Sequence, residues 1–329
     1  MKILVTGASG YIGNRLVNAL AEQGNKVHAF VRSSSADHLL RHPNIRIFRG
    51  DILDKESLQI AVKGCERVFH VAGSVKTGGK DPKEVMNINI NGTKNVLEEA
   101  ANNSVSKIVF TSTGGVMGPS LNHPLTEDDL RMMNFELDYE FSKKIAEDLL
   151  LDYVKKGGNA VIVRPTKVFG PGYVSHPRTA NAIISRFLTS KCIVIPGPGN
   201  YYCNFSFLDD VVAGHCLAME NGRSGETYLL GGENISYFSF FDTIRKLGDL
   251  KGKIIMAGKK IIIAWALLQE MWQKISGKDI FFNRKVGRYL FCNHEFSSQK
   301  AINDLGYRIT PFAEAIRLTI DQLYRTKRF

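Results

Sequence analysis

The first half of the chain alternates short β-branched and aromatic runs with longer stretches whose apolar residues recur at helical spacing. Short apolar runs predict strands, and a period of about 3.6 residues predicts helices. The predicted strands cover residues 2–6, 26–31, 45–49, 66–72, 107–112 and 159–164. The predicted helices cover residues 11–22, 54–63, 83–102 and 139–156. This alternation predicts an α/β fold with a doubly wound parallel sheet and right-handed crossovers.

The regular alternation ends near residue 165. Proline and glycine interrupt it in the stretches 165–172 and 196–199, and the segments beyond are shorter and less regular. These breaks predict a boundary at residue 165. Because the glycine-rich stretch 6–13 follows the first strand, we expect a dinucleotide-binding (Rossmann) domain over residues 1–165 and a smaller lobe, mainly for substrate binding, over residues 166–329. We expect residues 201–219 to return to the main sheet.

Composition narrows the function classes. The 329 residues include 43 Lys and Arg against 32 Asp and Glu, and the excess is spread without a block of like charges. A diffuse excess favours a solvated basic surface and argues against nucleic-acid binding. None of the five cysteines forms a CxxC pair. We therefore expect reduced thiols, no metal site and a cytoplasmic protein, with no signal peptide before the first strand.

The glycine-rich stretch TGASGYIG at 6–13 lies between the first predicted strand and helix. Gly7 permits a tight turn, Gly10 lets a pyrophosphate approach the backbone, and Gly13 allows close packing of helix on strand. The helix N-terminus then directs free N–H groups at the phosphates. A merely structural turn is the alternative, but the position after a strand and before a helix favours a dinucleotide site. The predicted contacts are Gly7, Ser9, Gly10, Tyr11, Ile12 and Gly13.

Arg32 stands at the end of the second predicted strand, about 20 positions after the glycines, where an acidic residue would bind the ribose 2′-OH of NAD. A guanidinium there binds a 2′-phosphate instead, through charge-assisted hydrogen bonds. The serines at 33–35 add hydroxyl donors, whereas Asp37 lies further along the chain. The position predicts NADP(H), with NAD(H) the less favoured cofactor, unless Arg32 is an ordinary surface residue.

Polar residues also follow the third and fifth predicted strands. Asp51, with Ile52 beside it, is placed to meet the adenine edge or to cap the next turn. Ser112 and Thr113 follow the fifth strand. Because ligands bind outside the carboxyl ends of parallel strands, these hydroxyls are candidates to hold a reacting oxygen.

Tyr139 and Lys143 lie four residues apart at the start of a predicted helix, and therefore on one helix face. A nearby ammonium stabilises a phenolate and lowers the phenol pKa. Tyr139 is then a candidate acid or base for a substrate oxygen. The YxxxK pattern alone is common, but the glycine loop and the hydroxyl cluster upstream make it specific.

Ten stretches together resemble the extended short-chain dehydrogenases/reductases, above all dihydroflavonol-reductase-like, 3β-hydroxysteroid-dehydrogenase-like and NAD-dependent epimerase/dehydratase members. They cover nearly the whole chain. The stretches are TGASGYIG at 6–13, GDI at 50–52, VFHVAG at 68–73, NINGTKNVLEEA at 89–100, FTST at 110–113, YEFSK at 139–143, RPTKVFGPG at 164–172, FLDDVVAGH at 207–215, GETYLLGGEN at 225–234 and FSSQKAINDLGY at 296–307.

The resemblance implies residue roles. Tyr139 would be the acid or base, Lys143 would bind the nicotinamide ribose and tune Tyr139, and Thr113 would be the catalytic hydroxyl. Ser112 is the alternative hydroxyl, because many family members have a second Ser at position 113. Asn89 would lie near the proton-relay region. The remaining implied cofactor contacts are Val71, Ala72, Gly73, Pro165, Thr166 and Val168.

The leading function is an NADP(H)-dependent reductase or dehydrogenase for a small apolar ketone or alcohol. A nucleotide-sugar epimerase or dehydratase with the same machinery is the second hypothesis. It is weakened because residues 201–205 lack the Arg that often pairs with a substrate diphosphate, unless Arg178, Arg186 or Arg288 supplies that charge. A non-catalytic NADP-binding protein is the third, and the intact Tyr139 argues against it.

Aromatic residues concentrate in the second lobe and suit an apolar substrate, although many could simply be core. They are Tyr201, Tyr202, Phe205, Trp265, Trp272, Phe281, Phe282 and Phe291. The run IIIAWALL at 261–268 is too short to span a bilayer, which needs about 20 residues. We expect it to be core, with peripheral contact to an anionic membrane as the alternative. The sequence leaves the oligomeric state open, a homodimer included.

Overall fold

The computed structural model describes residues 1–34, 37–75, 82–172, 180–190, 192–277 and 282–326. Within these ranges twelve strands are defined, and seven of them form one parallel sheet in the order β10-β6-β5-β4-β1-β2-β3. The strands are β1 (Lys2–Thr6), β2 (Lys26–Val31), β3 (Ile45–Arg49), β4 (Arg67–His70), β5 (Lys107–Thr111), β6 (Ala160–Pro165), β7 (Lys167–Phe169), β8 (Cys192–Pro196), β9 (Tyr202–Phe207), β10 (Thr227–Leu230), β11 (Glu233–Ser236) and β12 (Lys253–Ala257). The predicted α/β fold and its six strands are confirmed.

Helices cover both faces of the large sheet. The helices of the described residues are α1 (Tyr11–Glu22), α2 (Lys55–Val62), α3 (Pro82–Met86), α4 (Gly92–Asn102), α5 (Asp138–Lys155), α6 (Ala180–Thr189), α7 (Leu208–Asn221), α8 (Tyr237–Leu247), α9 (Lys259–Ser276), α10 (Arg284–Tyr289), α11 (Gln299–Leu305) and α12 (Phe312–Arg325). A π-helical segment, Asn87–Asn91, joins α3 to α4. Side chains of α1, α7 and α11 share one core with the sheet, and those of α2, α4 and α5 share the other.

The alternation along each strand explains why both faces are covered. In β1, Ile3 and Val5 point into the core beneath α1, whereas Leu4 points into the core beneath α2. Successive side chains of a strand face opposite sides of a sheet. A strand that is apolar at every position must therefore be buried on both faces, as in a parallel α/β sheet.

The second lobe contains two small sheets, β11-β9-β7 and β12-β8. Its core is dominated by phenylalanine rings, with Phe205 stacked on Phe240 at a centroid distance of 4.3 Å. Phe169 and Phe312 complete this cluster. Phe205 is therefore a core residue and not part of a substrate surface. The domain boundary at residue 165 stays a prediction.

The prediction for residues 201–219 is correct for the helix and wrong for the strand. Strand β9 pairs with β7 and β11 in the small sheet, whereas α7 packs on the large sheet. The seventh strand of the large sheet is β10, which pairs with β6. The error arises because a buried apolar run predicts a strand without indicating its partner.

Helix α9 does not conform to the expectation that residues 261–268 are core. Only Ile262 and Ala266 of this run are buried. Both lie on the side that contacts α10, while Ile261 and Leu268 are more than 60% exposed. No helix within the described ranges is long and apolar enough to cross a membrane.

Candidate active site

The glycine loop has the geometry that was predicted from its spacing. Gly7 has a φ of +71°, a conformation that L side chains rarely adopt, and its carbonyl accepts a hydrogen bond of 2.9 Å from Gly10 N. A Cβ on Gly13 would lie 2.2 Å from the Gly7 carbonyl oxygen, so only glycine fits there. The loop leads directly into the N-terminus of α1, where free N–H groups suit a pyrophosphate.

The other loop residues surround this turn. Ser9, Gly10 and Ile12 are partly buried, and a Cβ on Gly7 would meet the Ala72 backbone at 2.7 Å. Strand β4 therefore brings Val71 and Ala72, which are half-buried, beside the glycine loop. The predicted cofactor contacts from two strand ends lie together.

Tyr11 has a structural partner that the sequence did not indicate. Its hydroxyl donates to the Gly170 carbonyl at 2.6 Å and accepts from Asn181 Nδ2 at 3.0 Å. Burial raises the pKa of Tyr11, so the hydroxyl stays protonated. Tyr11 thus ties the glycine loop to the segment after β7.

Arg32 is exposed just after β2, and no hydrogen bond or ion pair of its guanidinium is found within the described part of the chain. Asp37 is different, because its carboxylate forms an ion pair with Arg49. The positive group at this strand end is therefore available to a ligand, while the nearby negative group is already paired. Ser33 and Ser34 are exposed beside Arg32, and Ser35 lies outside the described residues.

The side chains of Asp51 and Ile52 lie in different environments. One carboxylate oxygen of Asp51 accepts from Leu53 N at 3.0 Å, which makes Asp51 the cap of its own turn, with the second oxygen left over. The Ile52 side chain is in the core and packs on Gly92. Only the backbone of Ile52 remains as a cofactor contact.

Tyr139 is the second residue of helix α5, and its hydroxyl lies beside Thr113. Burial raises the pKa of Tyr139 to about 12, the Thr113 hydrogen bond lowers it in part, and Glu140 raises it further. The sequence-based expectation that Lys143 lowers this pKa is not met, because burial, Thr113 and Glu140 are the groups that shift it. Tyr139 is protonated at neutral pH and can act as a proton donor.

Lys143 lies one turn further along α5 and is only 3% exposed. Its Nζ stands 4.3 Å from the centre of the Phe110 ring, and a Cβ on Gly73 would lie 3.5 Å from Nζ. Burial lowers the pKa of Lys143 to about 7, against a smaller opposing effect of Glu147. In this position beside Gly73, the buried amine of Lys143 would form hydrogen bonds with the hydroxyl groups of a nicotinamide ribose.

Asn89 connects helix α5 to the end of β4. Its Nδ2 donates to Ser142 Oγ at 2.8 Å and to the Ser74 carbonyl at 3.0 Å, while its Oδ1 accepts from Ser74 N at 2.7 Å. Ser142 Oγ in turn donates to the Tyr139 carbonyl. Asn89 therefore connects the Ser74 backbone, after β4, to the first turn of α5, next to Lys143.

The hydroxyl of Ser112 lies in a different environment from that of Thr113. It is 4% exposed, and its hydroxyl has no hydrogen-bond partner within the described ranges. Thr113 lies beside the Tyr139 hydroxyl, and its own hydroxyl accepts from Gly115 N and caps the following short helix. The geometry favours Thr113 over Ser112 as the hydroxyl that contacts a substrate oxygen.

Arg131 and Glu140 form a buried clamp that sequence reasoning missed. Their ion pair measures 3.1 Å, and the side chains are 12% and 3% exposed. Arg131 also donates to the Gly115 and Val116 carbonyls at 2.7 and 3.1 Å. Burial raises the pKa of Glu140 to about 7 despite Arg131. The clamp fixes the turn after Thr113 against the helix that carries Tyr139.

A cavity of about 60 Å³ opens beside Thr113 and runs toward the second lobe. Thr166 and Lys167, from the predicted nicotinamide-proximal stretch, line it. Pro165 is buried in β6 and Val168 is half-buried in β7, so neither reaches this cavity. Sequence reasoning included Lys167 in that stretch but missed its own role as a functional candidate, since its signal depends on contacts that are distant in the chain.

The other predicted substrate-side residues are scattered. Arg186 is exposed on α6 and Arg288 lies 3.8 Å from Glu136, whereas Arg178 and Phe281 fall outside the described residues. Among the aromatics, Tyr201 packs on Phe291, Phe282 packs on Trp265, and Tyr202 and Trp272 are exposed. The cavity is instead lined by Tyr289 and Phe296.

Comparison with known proteins identifies the family of the chain. The family model described as NAD dependent epimerase/dehydratase matches residues 3–231. The chain is 30% identical over 292 residues to sterol demethylase protein B of Methylococcus capsulatus, covering 88% of this chain and 86% of that protein. It is 32% identical over 274 residues to a putative dihydroflavonol 4-reductase of Synechocystis, covering 82% and 77%.

A solved structure gives the same fold. UDP-glucose 4-epimerase of Thermotoga maritima, determined with UDP-glucose, superposes with a TM-score of 0.82 at 24% identity, covering 99% of this chain and 100% of that one. At this identity the likeness concerns the fold alone.

Proposed function

Because the chain belongs to the NAD-dependent epimerase/dehydratase family of extended short-chain NAD(P)-dependent enzymes, we propose that it is an NADP(H)-dependent oxidoreductase. It interconverts a hydrophobic ketone and the corresponding secondary alcohol. The observation that carries the proposal is the placement of the Tyr139 hydroxyl beside Thr113, with the buried amine of Lys143 one helical turn away.

The chemistry divides between cofactor and protein. When bound, the cofactor supplies or accepts the hydride. Thr113 orients the substrate oxygen against the Tyr139 hydroxyl, which donates its proton to that oxygen in reduction and takes it back in oxidation. Lys143 binds the cofactor ribose and stabilises negative charge on Tyr139 when the proton leaves.

The preference for NADP(H) depends on Arg32. Its exposed guanidinium stands at the strand end where the adenosine ribose binds in this fold, and Asp37 is neutralised by Arg49. A 2′-phosphate at this place meets a positive group with no competing carboxylate in the described structure.

The substrate preference depends on the second lobe. Two relatives are named for a sterol and a flavonoid reaction, and both compounds are largely apolar. Residues 201–205 provide no guanidinium for a diphosphate, and Tyr289 and Phe296 border the cavity beside Thr113 together with polar side chains such as Asn204. The missing guanidinium and the two relatives favour a largely apolar ligand that carries a few polar groups.

A nucleotide-sugar epimerase remains the second candidate. It would use the same Tyr139 and Lys143, and the fold superposes on UDP-glucose 4-epimerase over nearly the whole chain. The two functions are distinguished by incubating the enzyme with NADP⁺ or NAD⁺ and a panel of sterol, flavonoid, β-hydroxyacyl and nucleotide-sugar substrates.

We expect turnover of at least one apolar alcohol, measured as NADPH absorbance, and none in the Tyr139→Phe variant. Turnover confined to nucleotide sugars would refute the proposal and leave the epimerase function in its place.

A further inference from the structure

Lys167, the first residue of β7, places its ammonium group inside the second lobe. Nζ donates to Cys203 Sγ at 2.9 Å and to Tyr237 OH at 3.2 Å. It also lies 5.2, 5.6 and 5.9 Å from the ring centres of Tyr237, Tyr289 and Phe205. Aromatic faces stabilise a cation at such distances but carry no net charge to balance it.

Within the described structure the partners of the Lys167 ammonium are a thiol and a phenol, not a carboxylate. Burial lowers the pKa of this ammonium, and the neighbouring Cys203 and Tyr289 oppose that effect, so the net shift is upward and Lys167 is a cation at neutral pH. No carboxylate of the described residues lies within ion-pair distance of Nζ. A half-buried cation without a carboxylate partner is costly, and a bound anion would reduce that cost.

A second observation points to a ligand at the same place. His294 is 2% exposed, borders the same cavity as Lys167, and its Nδ1 has no hydrogen-bond partner in the described ranges. Buried polar atoms are rarely left without a partner. The cavity is therefore lined by the half-buried cation of Lys167 and by His294, whose ring has an unsatisfied nitrogen, and Thr113 borders it too.

We propose that Lys167 binds a carboxylate of the substrate, placed close to the carbon that is oxidised or reduced. A single ammonium in a cavity of about 60 Å³ matches one negative charge, whereas a diphosphate brings at least two. The substrate class is then a hydrophobic hydroxy acid or keto acid. This inference rests on the proposed function, because the cavity is the substrate side of the Thr113 and Tyr139 site.

The test compares an acid with its uncharged ester. The probes are 3-hydroxydecanoate and methyl 3-hydroxydecanoate, oxidised with NADP⁺. We expect the wild type to prefer the acid in kcat/KM by about 10- to 100-fold, the value of one charge-assisted hydrogen bond. Lys167→Met removes the preference and leaves turnover of the ester, while Lys167→Arg retains the preference in part. Lys251→Met removes an exposed charge and is the matched control.

A binding experiment separates this inference from the proposed function. Decanoate and methyl decanoate are titrated into the NADPH-bound enzyme, and NADPH affinity reports the folding of each variant. If decanoate binding depends on Lys167 but no alcohol is oxidised, the carboxylate site stands and the proposed function fails. If acid and ester behave alike, or Lys167→Met retains the acid preference, the carboxylate site is refuted.

The exposed side of α9 is a second feature, separate from the cavity beside Thr113. One side of α9 exposes large apolar side chains that are 49% to 79% accessible. They recur at helical spacing along the whole helix, and the opposite side rests on α10. The exposed residues are Ile261, Trp265, Leu268, Met271, Trp272 and Ile275. A contiguous apolar patch of this kind marks a contact with a partner or a membrane.

Charge and residue type identify the partner. Lys259, Lys260 and Lys274 are exposed on the same helix, and the chain carries a net charge of +11. Both tryptophans of the chain, Trp265 and Trp272, lie on the exposed apolar side. Tryptophan at the apolar boundary with lysine beside it is typical of helices that lie in the headgroup region of an anionic bilayer.

We infer that α9 docks on an anionic lipid bilayer, parallel to its plane. An apolar substrate would be most concentrated at the same surface. The experiment uses vesicles of phosphatidylcholine with and without phosphatidylserine, at low and high salt. Because no tryptophan lies elsewhere in the chain, we expect a blue shift of the fluorescence on phosphatidylserine vesicles, and its reversal at high salt.

The matched variants each replace one exposed apolar residue by serine. Leu268→Ser on α9 should weaken flotation with the vesicles, and Ile60→Ser, equally exposed on α2, should not. If the wild type stays unbound at low salt, or if sedimentation shows a dimer that Leu268→Ser dissociates, the membrane inference is refuted. In the latter case a second copy of the chain covers this face.

Discussion

Two charged groups follow β2, and only Arg32 is left for a ligand in the described structure, because Asp37 is paired with Arg49. We expect Arg32→Ala to weaken NADPH binding by about 1.5–3 kcal/mol and to leave NADH binding nearly unchanged. Calorimetric titration of both cofactors measures this difference. Arg325→Ala, an exposed cation on α12, is the control. Tighter binding of NADH than NADPH by the wild type would contradict the assignment.

The hydroxyl of Tyr139 is the proposed proton donor. Tyr139→Phe retains the ring and loses only the hydroxyl, so turnover should fall by at least about 100-fold while NADPH affinity stays near that of the wild type. Lys143→Met should impair both, because Lys143 also faces the cofactor side at Gly73. Steady-state kinetics and cofactor titration separate the two effects. Turnover by the Tyr139→Phe variant at a rate close to that of the wild type would disprove the proton-transfer role of Tyr139.

The residues of this site differ in how far sequence reasoning could find them. Tyr139 and Lys143 share a helix face, and Thr113 ends a strand, so local spacing was sufficient to group them. Their protonation was not predictable, because burial by the whole fold raises one pKa and lowers the other. The role of Lys167 was missed, since Cys203 and its other neighbours come from distant segments.

At the scale of elements, the Arg131–Glu140 clamp holds the turn after Thr113 against α5. We expect Arg131→Met to lower kcat by about 10- to 100-fold, the effect of a small displacement of reacting groups, with NADPH affinity unchanged. Arg131→Lys should restore part of kcat. Loss of stability alone would lower the amount of folded enzyme but not its kcat.

The double variant Arg131→Met with Glu140→Met provides the control for the clamp. It leaves no unpaired buried charge, so the free energy of unfolding should recover relative to Arg131→Met. If kcat recovers together with stability, Arg131 is structural and does not position Thr113. Urea unfolding and steady-state kinetics on the same preparations distinguish these outcomes.

Element boundaries followed the periodic pattern closely, and the exceptions have physical causes. Strand β4 ends at His70 and not at the predicted residue 72, because Val71 and Ala72 leave the sheet beside the glycine loop. The helix predicted at 83–102 contains the π-helical segment, which has no distinct apolar period. The exposure of α9 was also hidden, because an apolar run indicates burial whether its partner is core or lipid.

At the scale of the whole molecule, buried histidines make stability depend on pH. Burial lowers the pKa of His70 and His294 to about 3 and that of His215 to about 4. Below the unfolded-state pKa near 6.5, the unfolded chain binds protons that the folded protein does not. Each group then destabilises the fold by about 2 kcal/mol between about pH 6.5 and pH 5.

Glu140 acts in the opposite direction, because its raised pKa of about 7 lets the folded protein keep a proton that the unfolded chain releases. These four groups have large pKa shifts. Because the three histidines destabilise the fold and Glu140 alone stabilises it, we predict that the free energy of unfolding falls by about 4 kcal/mol over that pH range. Urea unfolding at the two pH values measures it. His215→Gln should reduce the loss by about half, and equal stability at both pH values would contradict the prediction.

The π-helical segment Asn87–Asn91 has a consequence for the angle at which two helices meet. A π turn contains one residue more than an α turn, so α3 and α4 are out of phase by about 100° along one continuous helix. That rotation lets α3 face α5 while α4 also contacts α2. Deleting one residue here would restore an even pitch, swing Val85 away from its buried position and separate the Asn89 amide from Ser142.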